Sequence, residues 1–145
     1  MKEDGKFILF ALLIIIVDII TKQLIVIFNP NLKLLPFFSL IYVKNTGAGF
    51  GILSGMNVLL IVISVLVLVG IGYYYKKIPK ESWVLVASGL ITGGIVGNLI
   101  DRVFRGFVVD FLDFFVSSWH WPAFNVADSA LVIGVVILII YYWKK

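Results

Sequence analysis

The sequence predicts an all-α membrane protein, a bundle of four transmembrane helices with a small extracytoplasmic β element in the first outer loop. Three observations carry this reading. Of the 145 residues, 61% are hydrophobic and 14% are charged, against about 25% charged in soluble domains. Mean hydropathy is +1.10, too high for a surface that faces water. Four separate segments are long and apolar enough to cross a bilayer, which takes about 20 helical residues. Residues 1–145 read as a single integral membrane domain.

The first span runs from about Phe7 to Phe28. It is too long for a cleaved signal sequence, it holds Asp18 and Lys22, and no small-residue cleavage site follows it. The second span, about Val58 to Tyr75, contains no charge. The third runs from about Trp83 to Ile100 and the fourth from about Val126 to Trp143. Tyr73, Tyr74, Tyr75, Trp83, Tyr141, Tyr142 and Trp143 stand at span ends, where amphipathic rings prefer the headgroup level.

Four spans put both termini on one side of the membrane. That side carries seven basic residues: Lys2, Lys6, Lys76, Lys77, Lys80, Lys144 and Lys145. The other carries four: Lys33, Lys44, Arg102 and Arg105. The excess places both termini in the cytoplasm, so the connections at roughly 29–57 and 101–125 face outward. The net charge of +4 is spread over span ends in no basic run, which argues against nucleic acid as a partner.

The outer connections are not ordinary linkers. Phe37 to Val43 is aromatic and β-branched and reads as a short strand. Phe107-Val108-Val109 and Phe111-Leu112-Asp113-Phe114-Phe115 are equally apolar, and Trp119, Trp121 and Phe124 continue the theme. Such segments lie on the membrane surface or fold over a site there.

With no cysteine and only His120, thiol nucleophiles and multi-histidine zinc sites are excluded. Chemistry falls to carboxylates, hydroxyls, amides, lysine or arginine. Asp18 and Lys22 lie four apart on one helical face, deep in the first span. They read either as a structural pair, with Lys22 snorkelling outward and Asp18 bonding a neighbouring helix, or as part of a site. The loop Asn45-Thr46-Gly47-Ala48-Gly49-Phe50-Gly51 is either a turn into the second span or a backbone that a substrate approaches, with Asn45 as donor. Gly89, Gly93 and Gly97 recur every four residues and make a smooth face for helix packing. Asn98 and Arg102 share a face, and Asp101 is within reach of both. They form a helix-end cluster or the wall of a site.

Asp110 sits among apolar neighbours, and Asp113 in the same loop has no obvious partner. Asn125 and Asp128 open the fourth span with the spacing of a capping box. The other reading sets Asp128 level with Asp110 at the outer membrane face. Two carboxylates converging there would share a proton, the state that acid–base hydrolysis needs.

In order, the motifs are Asp18-Ile19-Ile20-Thr21-Lys22, Asn45-Thr46-Gly47-Ala48-Gly49-Phe50, Gly93-Gly94-Ile95-Val96-Gly97-Asn98-Leu99-Ile100-Asp101-Arg102, Val108-Val109-Asp110-Phe111 and Phe124-Asn125-Val126-Ala127-Asp128. Together they resemble the motifs of lipoprotein signal peptidase, or signal peptidase II, a four-span bacterial enzyme. The resemblance covers nearly the whole chain. Ile19 stands where the family usually has Gln, and Gly49 where it has Ala or Ser. The resemblance implies Asp110 and Asp128 as the catalytic pair. Asn45, Gly47, Asn98, Arg102 and Asn125 then support the site, with Asp18, Lys22 and Asp101 structural or adjacent to it. It also implies a small sheet beside the bundle and an aspartic mechanism with no cofactor and no metal. The implied substrate is a prolipoprotein whose cysteine already carries diacylglyceryl, met in the cytoplasmic membrane near the outer leaflet. A bundle of four short helices suffices as a monomer among membrane lipids. The rival readings are a proton- or ion-coupled transporter subunit leaning on Asp18, an assembly protein with capped helix ends, and a serine peptidase using His120.

Overall fold

The computed structural model describes residues 3–48 and 52–145. Lys2, counted among the basic residues of the terminal side, and Gly49, Phe50 and Gly51 of the glycine loop lie outside the described residues. The four apolar stretches become α1 (Glu3–Phe28), α2 (Asn57–Tyr74), α3 (Ser82–Arg105) and α4 (Val126–Trp143). All four are long and apolar enough to cross a membrane. Helix α3 differs most from its hydropathy limits. It ends at Arg105 because Gly106 takes the left-handed φ of 80° that terminates a helix. Asp101 and Arg102 are therefore helical residues and not part of the outer connection.

Glycine lets α3 sit at the centre of the bundle. A Cβ built on Gly93 would lie 2.7 Å from the Ala11 carbonyl oxygen of α1, and one on Gly89 2.6 Å from that of Phe7. Gly94 faces the Ala127 carbonyl of α4, and Gly134 of α4 returns the contact against Ala87. Gly89, Gly93 and Gly97 thus form the expected face, set against α1, and Gly94 and Gly134 add a second close interface with α4. Helix α2 packs chiefly on α3.

The sequence reading confined the β element to the first outer loop, and here the structure corrects it. Strands β1 (Leu32–Leu35), β2 (Phe38–Asn45), β3 (Val108–Val116) and β4 (Trp119–His120) form one antiparallel sheet in chain order. The last two come from the connection between α3 and α4. The reason is pairing: β1 satisfies only one edge of β2, and β3 takes the other. The register sets Asn45 opposite Val108 and Val43 opposite Asp110. Ile25, Val109 and Phe111 form a buried apolar cluster where the sheet meets α1. The amides of Phe111 and Leu112 donate to the Phe124 carbonyl, which returns the chain to the start of α4.

The other end of the bundle is tied by polar contacts. Lys80 lies 2.8 Å from Asp4, the Tyr75 hydroxyl donates to Asp4 at 2.8 Å, and Lys6 bonds Ser82. Tyr141 donates to Glu81 at 2.7 Å. Both ends of the chain thus meet the α2–α3 connection, and the sheet stands at the opposite end, as an even number of spans requires.

Candidate active site

Asn125 begins the site. It caps α4: its Oδ1 accepts from the Asp128 amide at 2.9 Å, and its own amide donates to Asp128 Oδ2 at 3.2 Å. The capping box read from the sequence is present. It leaves the Asn125 Nδ2 free, and this donates to Asp110 Oδ1 at 2.7 Å. Asn125 therefore joins the cap of α4 to Asp110, so the capping role of Asp128 does not exclude it from a site.

Asp110 is held from the other side by Asn45, whose Nδ2 donates to its Oδ2 at 2.8 Å. The Asn45 Oδ1 is oriented by the Gly47 amide at 2.9 Å. Burial pushes the Asp110 carboxyl up to about 7, the charge of Asp128 adds to this, and the Asn45 and Asn125 hydrogen bonds oppose it. Asp128 takes its second donor from Asn98, whose Nδ2 reaches Oδ1 at 2.7 Å.

Gly47 needs no left-handed backbone; positive φ falls at Gly55 and Gly106 among the described glycines. What it needs is space. A Cβ there would lie 2.7 Å from the Ile52 carbonyl oxygen, so the close approach is made by the chain's own backbone. Its carbonyl accepts from Arg102 Nη2 at 3.0 Å, which straps the loop after β2 to α3.

Asn45, Asn98, Arg102, Asp110 and Asp128 line one cavity of about 540 Å³. Trp121, Phe124 and Leu131 make much of its apolar wall. In the sequence Trp121 carried only a hydropathy signal, Phe124 opened the last motif, and Leu131 was one apolar residue of the fourth span. A second cavity of about 460 Å³, near Tyr74 and Lys77, has no carboxylate in its lining. Among the described residues no cluster of three or more His, Cys, Asp or Glu side chains could hold a metal ion.

Asp18, Lys22 and Asp101 lie beneath the cavity. Asp18 Oδ1 accepts from the Ala127 amide at 2.9 Å, so α1 helps to cap α4, and its Oδ2 is 2.7 Å from Lys22 Nζ. The neighbouring-helix bond expected of Asp18 is present. The expected snorkelling of Lys22 is not, since its side chain is 1% exposed and turns inward. The difference is chemical: Asp18 and Asp101 Oδ2, at 3.3 Å, give the ammonium anionic partners inside the bundle. Asp101 also accepts from Arg105 Nε at 2.8 Å and the Val109 amide at 3.0 Å, so it is spent away from Asn98 and Arg102. Asp113 is not partnerless, because His120 Nδ1 lies 2.8 Å from its Oδ1 across the β3–β4 hairpin. His120 is thereby occupied at the sheet and does not line the cavity that holds Asp110 and Asp128.

Fold and site together define a polytopic membrane enzyme whose polar residues converge on a carboxylate pair. The family model "Signal peptidase (SPase) II" matches residues 10–144. The chain belongs to that family. Its relatives include the lipoprotein signal peptidase of Vibrio campbellii, 43% identical over 100% of this chain and 93% of that protein. That of Halothermothrix orenii is 43% identical over 93% of each. Two solved bacterial membrane enzymes, both 36% identical and covering 97% of this chain, superpose with TM-scores of 0.89 and 0.86. They are covered over 88% and 94% of their own lengths, so the likeness extends to whole proteins. The transporter reading finds no support.

Proposed function

We propose that this chain is an aspartic endopeptidase of the bacterial cytoplasmic membrane. It removes the signal peptide from diacylglyceryl-modified prolipoproteins, cutting just before the lipidated cysteine. The observation that carries the reading is the convergence of Asp110 and Asp128 on one largely apolar cavity, with each carboxylate held by fixed donors. Of two such carboxylates, one ionised takes a proton from water. The other, protonated, hydrogen-bonds the scissile carbonyl oxygen as charge develops there. Asp110, raised to about 7, suits the protonated role at neutral pH. Asn45, Asn98 and Asn125 hold the pair, while Gly47 and Arg102 shape the rim. The apolar wall suits acyl chains, and a site at the outer leaflet is open to a lipidated substrate arriving laterally. The chain acts as a monomer.

The test is incubation of purified protein with lipidated prolipoprotein, scored by the size shift, with unlipidated substrate as control. Cleavage of the lipidated form alone is expected. No cleavage by folded protein would refute the reading. The same assay reads pH: cleavage should fall as pH rises through about 7, where Asp110 gives up its proton. A rate still climbing at pH 9 would remove Asp110 from the acid role.

Both termini face the cytoplasm in this reading. A cysteine introduced at Ser118 of this cysteine-free chain should react with an impermeant thiol reagent in intact cells, and one at Lys77 should not. The reverse pattern would turn the molecule over and put the site on the wrong face.

A further inference from the structure

Three asparagine amides face the carboxylate pair, and each can be oriented two ways. A donor-only group decides the matter for each. The Asp128 amide fixes Asn125, the Gly47 amide fixes Asn45, and Lys22 Nζ fixes Asn98 by donating to its Oδ1 at 2.9 Å. Two of these pins are backbone and cannot be removed. The third is an ammonium buried inside the bundle, one residue away from the reacting groups.

Resting on the function proposed above, we propose that Lys22 is a positioning residue. Its ammonium holds the Asn98 carbonyl so that the Asn98 NH₂ faces Asp128 through both protonation states of the pair. Asp128 itself attracts that NH₂ most strongly while ionised. When a proton moves onto it, its hold on a donor weakens, and the amide needs another anchor. The Asn125 Nδ2 also reaches Asn98 Oδ1, but at 3.2 Å and while already committed to Asp110 at 2.7 Å. Lys22 is the stronger anchor, being charged and shorter. It is fixed in turn by Asp18 on its own helix and Asp101 on α3. The other charged groups around Asn98 are Asp110 of β3, Asp128 of α4 and Arg102 of α3, all on the wall of the same cavity.

The alternative is that Lys22 only neutralises Asp18 and Asp101. A double-mutant cycle separates the two. Lys22→Met alone strands buried carboxylates, so the cycle is built on Asp18→Asn, whose amide oxygen can still accept from Ala127 while its NH₂ turns the ammonium toward Asp101 and Asn98. Asp101 keeps Arg105 and the Val109 amide. Relative to Asp18→Asn, adding Lys22→Met should lower kcat by roughly 100-fold with KM little changed, the size expected when a reacting group loses its geometry. Adding Asn98→Ala should do the same, and adding both should be no worse than either. The pH–rate profile should also move in the Lys22→Met variant. A readout free of activity is the nuclear Overhauser contact between the Asn98 NH₂ and the Asp128 β-protons. It should be present in Asp18→Asn and weakened when Lys22→Met is added. Additive losses, or an Asn98 contact indifferent to Lys22, would overturn the proposal. If the unmodified chain leaves lipidated prolipoprotein uncut, the proposed function fails instead, while the amide contact still decides the role of Lys22.

Discussion

Asp110→Asn and Asp128→Asn should each lose nearly all cleavage of lipidated prolipoprotein, on the order of 10³-fold or more. An amide at either position can neither ionise nor share a proton. The double variant should be little worse than either single, because the pair acts as one unit. Stability should change little. If Asp128 were only the partner in the Asn125 cap, its Asn variant would cost about 1 kcal/mol or less and leave turnover largely intact. The contacts predict how each amide sits. Asn at 128 can keep its oxygen on the Asn125 amide only by turning its NH₂ toward the Asn98 NH₂. Asn at 110 must set its NH₂ against a donor from Asn45 or Asn125. Relief from burying a second charge offsets these clashes, so melting temperatures should stay near that of the parent. Asp113→Asn is the control. It removes the charge beside His120 at the sheet, where the amide oxygen can still accept from the ring, and should stay active. Substantial turnover by either folded single variant would return Asp128 to the helix cap.

Hydropathy alone makes the four helices legible, because a span must satisfy its own backbone over a set length. The order of the motifs makes the candidate residues legible. What stays hidden is whatever depends on partners distant in sequence. The segment 108–116 is apolar and β-branched, yet it becomes a strand only because β2 offers an edge. Whether Lys22 snorkels or turns inward depends on Asp101, 79 positions away, which only the fold brings within 3.3 Å. Asp113 gains His120 through a hairpin that no strong turn signal marks. The asparagines were visible as residues, but the direction of each amide follows from which donor meets its oxygen.

The glycine positions on α3 give the second large effect. Gly93→Leu should fail to accumulate as a folded protein. A Cβ at 93 would stand 2.7 Å from the Ala11 carbonyl oxygen and 2.9 Å from the Ile14 Cβ. The first is backbone, so α1 and α3 must separate to admit even one carbon, and a leucine adds three more. Overpacking costs typically about 1–3 kcal/mol where side chains can adjust, and here a helix interface has to move. Gly97→Ala should behave differently. Its Cβ would meet Asp18 Oδ2 at 2.5 Å, the end of a side chain rather than backbone. That side chain can swing only by giving up Lys22 or the Ala127 amide. The helices then stay packed, but the start of α4 and Asp128 with it lose their support from α1. Gly97→Ala should therefore lose more activity than stability. Gly72→Leu, on an exposed face of α2 with nothing within 4 Å of its Cβ, should change neither. Protein yield in the membrane, resistance to proteolysis and cleavage of lipidated prolipoprotein measure all three. A Gly93→Leu protein that accumulates and resists protease like the parent would show that α1 and α3 do not need this contact, and the glycine would then have to be explained by the substrate.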